Sequence, residues 1–155
     1  MLKILIAIDG SDLALDAVRY ALRLAQSGLQ ISSVVLANVQ EPASLYELVT
    51  SRDPDLIAAA SVEAGEHLLA PARALLEAAG VAYETDIGLG DPAHTLVDMA
   101  ERNGADMVVI GAKGHGALSS ALLGSVSQEV ARASTVPVTI VKHAQELDGD
   151  MDGED

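Results

Sequence analysis

Gly111-Ala112-Lys113-Gly114, nine intervening residues and then Gly124-Ser125 follow directly on the apolar run Met107-Val108-Val109-Ile110. Glycine lets the main chain take positive φ and approach a ligand with no Cβ in the way. A row of main-chain N–H groups in such a loop makes a concave anion site. Gly124 and Ser125 add donors where a helix should begin, the end at which unpaired N–H groups and the macrodipole favour a phosphate. Lys113 offers a point charge beside them. His115, between Gly114 and Gly116, is either a further donor or an incidental loop histidine. The chemistry these types and spacings suit is phosphate recognition, and it is not that of a Walker A loop, because no G-x-x-x-x-G-K-[ST] string occurs in the chain.

The residues for covalent chemistry are few. Phosphoryl transfer needs a positioned base or water, a bound metal and cations on the developing charge, and the candidates are Asp9, Lys113 and His115. There is no G-x-S-x-G elbow for a serine nucleophile. The four histidines, His67, His94, His115 and His143, show no pair at helical ligand spacing, so a dedicated metal site is not expected. Magnesium would arrive on the phosphates, holding several waters and few protein ligands. The string Gly88-Leu89-Gly90-Asp91-Pro92-Ala93 fits G-x-G-x-x-[GA], but it does not follow the first strand, and Asp91-Pro92 accounts for the turn as a helix cap.

The elements that must position these residues alternate strand-like and helix-like along the chain, which predicts βαβ units and a parallel sheet covered on both faces. Five strands are expected at Leu2 to Ile8, Ile31 to Val39, Val81 to Ile87, Asp106 to Ile110 and Pro137 to Val141. Near-continuous apolar runs mark the central ones, while the alternation in Val81 to Ile87 suits an edge. Helical stripes run through Ala14, Val18, Ala21, Leu22 and Ala25; through Leu68, Ala72, Leu75, Leu76 and Ala79; through Ala93, Leu96, Val97 and Ala100; and through Leu122, Val126, Val130 and Ala133. Asp91-Pro92 reads as an N-cap with proline at the first helical position. Gly28, Gly80 and Gly104 fall where helices should stop. The stretch from Glu41 to Pro54 is long for a connection and is a candidate lid. In such a sheet, ligands bind beyond the carboxyl ends of strands where the winding reverses, which directs attention to the loops after strands one, two and four.

The G-x-x-G, nine residues, G-[ST] pattern, its continuation Gly124-Ser125-Val126-Ser127, the opening Leu2-Lys3-Ile4-Leu5-Ile6-Ala7-Ile8-Asp9-Gly10-Ser11 and the closing Val136-Pro137-Val138-Thr139-Ile140-Val141 together resemble the ATP-binding type of the universal stress protein family. The resemblance covers residues 1–143. It implies a three-layer α/β domain, adenine-nucleotide alpha-hydrolase-like, with strand order 3-2-1-4-5 and helices on both faces. It also implies ATP as ligand, with Asp9 inside the nucleotide site, the main chain of Val39 against the adenine, and Gly111, Lys113, Gly114, Gly124, Ser125, Val126 and Ser127 around the phosphates. Taken alone, Asp9 serves equally to turn the chain into the first helix, and Val39 passes as a core valine. The enzymes of this fold with an S-G-G-x-D-S loop after strand one are not matched, because that place reads Asp9-Gly10-Ser11-Asp12. The family's last strand pairs with its copy in a second subunit, so a homodimer through Val136–Val141 is implied; an apolar edge strand needs such a cover.

Composition limits the rest. At 155 residues one core suffices. With 50% apolar residues, no Phe or Trp and three Tyr, that core must be aliphatic. The absence of cysteine excludes disulfides, thiolate metal sites and a cysteine nucleophile. A net charge of −14 argues against nucleic acid and anionic membrane as partners, since both call for a basic face. Six of the acids lie in the tail after Ala144, leaving about −8 on the body. Residues 144–155 are expected to be a disordered acidic tail. No leader-like start and no apolar run near the roughly 18 residues of a membrane helix is visible, so a cytoplasmic protein is expected. The function expected is a nucleotide-dependent stress-response regulator. The alternatives are a weak ATPase or autophosphorylating enzyme, with Ser125 or Ser127 as acceptors, and an interaction module holding AMP or nothing.

Overall fold

A computed structural model describes residues 1–41, 53–112 and 123–142. Lys113, Gly114, His115, Leu122 and His143, the body of the candidate lid and the acidic tail lie outside the described residues. Five parallel strands, β1 (Leu2–Ala7), β2 (Ile31–Gln40), β3 (Tyr83–Leu89), β4 (Met107–Gly111) and β5 (Val138–Val141), form one sheet in the order β3-β2-β1-β4-β5. Among the described residues the helices are α1 (Asp12–Gln26), α2 (Pro54–Ala79), α3 (Pro92–Arg102) and α4 (Ser125–Ala133).

The sheet divides two aliphatic cores. On one face α1 and α2 bury Ala14, Ala17, Val18, Ala21, Leu69, Ala72 and Leu76 against Ile4, Ile6, Val34 and Leu36. On the other α3 and α4 bury Ala93, Leu96, Met99, Ala100 and Val130 against Leu5, Val35, Val108 and Ile110. Alternate residues of each central strand feed opposite cores, so β1, β2 and β4 read as unbroken apolar runs. With small helix residues facing the sheet, α2 packs closely: a Cβ on Gly65 would lie 2.7 Å from Ile87 Cγ2.

The expected caps form. Asp91 Oδ2 accepts from the His94 N–H at 3.1 Å, with Pro92 at the first helical position. Gly80 ends α2 at φ +70, its N–H and that of Val81 turned back to Glu77 and Leu76. That turn consumes Val81, so β3 starts at Tyr83 rather than at Val81 and runs on to Leu89. The second helix departs from expectation in its buried face. It begins at Pro54, capped by Asp53, and continues through Pro71 for 26 residues. Its buried row is Ile57, Ser61, Gly65, Leu69, Ala72 and Leu76, while Leu68 and Leu75 are half-buried and Ala79 is exposed. Proline removes one helical donor at Pro71, but packing on β2 and β3 carries the helix past it.

Candidate functional site

The winding reverses between β1 and β4: from β1 the chain crosses to β2 on one side, and β4 lies on the other. Three segments meet at the carboxyl edge there.

The first is Ile8-Asp9-Gly10-Ser11. Asp9 Oδ1 accepts from the Ser11 N–H at 2.9 Å and from Ser11 Oγ at 2.5 Å, while Ser11 Oγ accepts from the Ala14 N–H at 3.1 Å and so caps α1. Gly10 has φ +86, and a Cβ there would stand 2.4 Å from Leu68 Cδ2. Asp9 is therefore held in an Asx turn at the mouth of the crevice, and its side chain is exposed.

The second is the end of β2. Val34 donates its N–H to Ala82 and Gln40 O accepts from Gly90 N–H, whereas Ala37 O accepts from Ile8 N–H on the other side. Main-chain groups alternate sides along a strand, so Val39 shares the orientation of Ala37. Its amide and carbonyl face the β1 side, beyond the last β1–β2 pair, Ala7↔Ala37.

The third is the end of β4 and the start of α4. Val108 and Ala112 donate to Pro137 and Val141 on the β5 side, so Gly111, between Ile110 and Ala112, faces β1, past the last β1–β4 pair, Ile6↔Val109. Val39 and Gly111 thus turn their main-chain polar groups toward the two flanks of β1, with Asp9 between them in the topology.

Ala112 O closes the loop by accepting from Gly124 N–H at 2.7 Å and from Ser127 Oγ at 3.0 Å. Ser127 is 2% exposed, and Gly124 O also lies 2.9 Å from its hydroxyl. Two expectations change. Gly124 has φ −65 and ψ 155, an extended N-cap that any residue can adopt, and its N–H is spent on Ala112. Because Gly124 makes no side-chain cap and the first helical bond runs from Gln128 N–H to Gly124 O, the N–H groups of Ser125, Val126 and Ser127 are first-turn donors with no partner among the described residues. The 9-residue α4 has its positive end at Ser125.

The Gly88–Pro92 string lies apart, between β3 and α3. A Cβ on Gly88 would stand 2.7 Å from Met99 Cε and 2.8 Å from Thr95 Cγ2, so this glycine serves packing. Nearby, His94 Nδ1 lies 2.7 Å from Asp91 Oδ2, and Arg132 pairs with Glu129. Hydrogen bonds from the His94 main chain and ring lower the Asp91 pKa, and the bond from Arg132 lowers that of Glu129. Among the described residues no group of three or more His, Cys, Asp or Glu is arranged to hold a metal, and no helix is long and apolar enough to cross a membrane.

One residue at the crevice escaped the sequence reading. Asn38 is 1% exposed. Its Nδ2 donates to Ile8 O at 2.8 Å and its Oδ1 accepts from Gln40 Nε2 at 2.6 Å. The available signal was a lone amide closing the run Val34-Val35-Leu36-Ala37 just before Val39.

Comparison with known proteins agrees with this fold. The universal stress protein family matches residues 1–142. The universal stress protein YxiE of Bacillus subtilis is 35% identical over 145 residues, spanning 90% of this chain and 98% of YxiE. Among solved structures, hypothetical protein MJ0577 of Methanocaldococcus jannaschii superposes with a TM-score of 0.75 at 28% identity, over 92% of this chain and 96% of that one. A universal stress protein in complex with cAMP superposes with a TM-score of 0.64 at 29% identity, over 91% and 96%. An α/β domain of this strand order with this loop belongs to the adenine-nucleotide alpha-hydrolase-like class. Within that class, the chain belongs to the universal stress protein family.

Proposed function

We propose that this chain binds ATP at the carboxyl edge of β1, β2 and β4 and acts as a nucleotide-dependent stress-response regulator rather than a high-turnover enzyme. The observation that carries the reading is the pair of main-chain segments, Val39 and Gly111, turned toward β1 where its ladders end, with Asp9 at the switch point. Val39 offers an adjacent donor and acceptor to the adenine edge, and Asp9 is placed for the ribose side. The donors of Ser125, Val126 and Ser127, with Gly111, Lys113, Gly114 and Gly124 shaping the loop, take the phosphates; Ser127 contributes its main chain, since its hydroxyl is already engaged. The relative in complex with cAMP supports an adenine nucleotide as the ligand class. Magnesium would enter with the phosphates and offset their charge.

Mass spectrometry of nucleotide released from freshly purified protein, followed by calorimetric titration with Mg-ATP, tests this. ATP in the released fraction and saturable binding are expected. AMP alone, or no nucleotide and no binding, would replace the reading with that of an interaction module. Turnover of about 1–1,000 per second, abolished by Asp9→Asn, would make the protein an ATPase instead.

The protein also works as a cytoplasmic homodimer in this proposal, with β5 as the shared edge and residues 144–155 as a solvating tail. Among the described residues β5 pairs with β4 alone, and its Val138, Thr139 and Ile140 are half-buried in one subunit. Sedimentation at micromolar concentration should give twice the mass of the 16.0 kDa chain; a monomer would refute the dimer.

A further inference from the structure

We infer that Asn38 is a positioning residue that opens the base-recognition edge of the site: its side-chain amide takes the Ile8 carbonyl and so releases the Val39 N–H to a ligand. The inference rests on the nucleotide-binding reading for its consequence, but its structural half stands without a ligand.

In a parallel ladder, a residue facing its neighbour donates its N–H to one residue of that strand, and its carbonyl accepts from the residue two further on. Ile8 donates to Ala37 O at 2.8 Å, so the regular continuation would bring the Val39 N–H to Ile8 O. The rung is replaced. Asn38 Nδ2 donates to Ile8 O at 2.8 Å, and the backbone ladder stops at Ala7↔Ala37. A carbonyl only accepts, so the amide nitrogen must face Ile8; Oδ1 then faces Gln40, whose Nε2 donates to it at 2.6 Å. Gln40 is held in turn by the main-chain bond from Gly90 to its carbonyl. Asn38 therefore spends its buried amide on both sides with its orientation set.

The release has a chemical use. Val39 then presents an N–H donor and a C=O acceptor side by side toward the crevice, complementary to the adenine edge, where N1 accepts and the 6-amino group donates. The hypoxanthine edge has the opposite polarity, with N1–H donating and O6 accepting. Had Ile8 captured the Val39 N–H, that rung would have to open before any base could be read. An apolar side chain at position 38 would allow this capture, and Gln40 would lose the partner that it orients.

The experiment uses the full chain, wild type and Asn38→Leu, with amide hydrogen exchange followed by NMR in the ligand-free state and calorimetry with ATP and ITP. In the wild type, the Val39 amide should exchange quickly while that of Ile8 is protected. In Asn38→Leu, Val39 should become protected, ATP affinity should fall about tenfold, as for loss of one to two neutral hydrogen bonds, and the ATP-to-ITP preference should shrink by a similar factor. A protected Val39 amide in ligand-free wild type overturns the inference alone, even if the variant fails to fold. So does an unchanged ATP-to-ITP ratio in a folded variant. If wild type binds neither nucleotide, the functional proposal fails, and the exchange of Val39 still decides whether Asn38 opens the rung.

Discussion

Gly10→Ala should be costly, because two separable effects act at one Cβ. Gly10 has φ +86, a left-handed region where an L side chain costs about 1–2 kcal/mol. The new methyl would also stand 2.4 Å from Leu68 Cδ2 and 3.3 Å from Leu68 Cγ. Leu68 is half-buried on α2 beneath the turn, so it must move or α2 must shift, and overpacking of this kind costs about 1–3 kcal/mol. The total is about 2–5 kcal/mol, and each kcal/mol lowers the melting temperature about 2–4 °C at this chain length. A double-mutant cycle separates the terms. In a Leu68→Ala background the clash disappears and only the backbone penalty of about 1–2 kcal/mol should persist, so urea denaturation of the four proteins should show a favourable coupling of about 1–3 kcal/mol. A Gly10→Ala cost that is the same in both backgrounds would refute the steric argument, and a cost below about 0.5 kcal/mol would refute both parts. Because Gly10 links Asp9 to its partner Ser11, the same variant should also bind ATP more weakly than wild type under conditions where both are folded.

Ser127→Ala should cost about 1–2 kcal/mol in urea denaturation, because it removes a buried hydroxyl held between Ala112 O and Gly124 O; a change under about 0.5 kcal/mol would mean that the Gly124 N–H closes the loop alone. Gly88→Ala should destabilise by about 1–3 kcal/mol through Met99 and Thr95 while leaving ATP affinity unchanged. The opposite pattern would return the Gly88–Gly90 string to the binding site. Acid titration of stability should show a contribution from Glu129. Its folded pKa is lowered by the hydrogen bond from Arg132, so its stabilisation is present above the ordinary carboxylate value and is lost as pH falls through the lowered one. Glu129→Gln should lower stability by a constant amount above about pH 5 and flatten the acid limb in thermal melts between about pH 5 and 2, where the gap to wild type closes; an unchanged limb would contradict the sign.

Local chemistry made the strands, the Asp91-Pro92 cap and the Gly80 stop legible in advance, since each depends on neighbours within a few residues. The order β3-β2-β1-β4-β5 came from the resemblance of the glycine loop and both chain ends to a family, and no periodicity could have supplied it. The second helix reaches well before its expected stripe and buries Leu69 in place of Leu68, because Pro71 interrupts the local pattern while close contact of Gly65 with Ile87 rewards a continuous helix. Asp9, Val39 and Gly111 could be named from spacing and resemblance. Only the parallel register shows that Val39 and Gly111 turn toward β1 beyond its last rungs, for orientation depends on where a neighbouring strand stops. Gly124 carries the same lesson: its place in the motif suggested positive φ, but its N–H is drawn to Ala112 across the base of the loop and its backbone is extended. Sequence by itself determined which residues are apolar, which break helices and which carry phosphate-recognising types. Tertiary structure alone decided which main-chain groups are already paired and which face the crevice, because hydrogen-bond satisfaction at the end of a strand is set by residues about 30 positions away, as with Asn38 and Ile8.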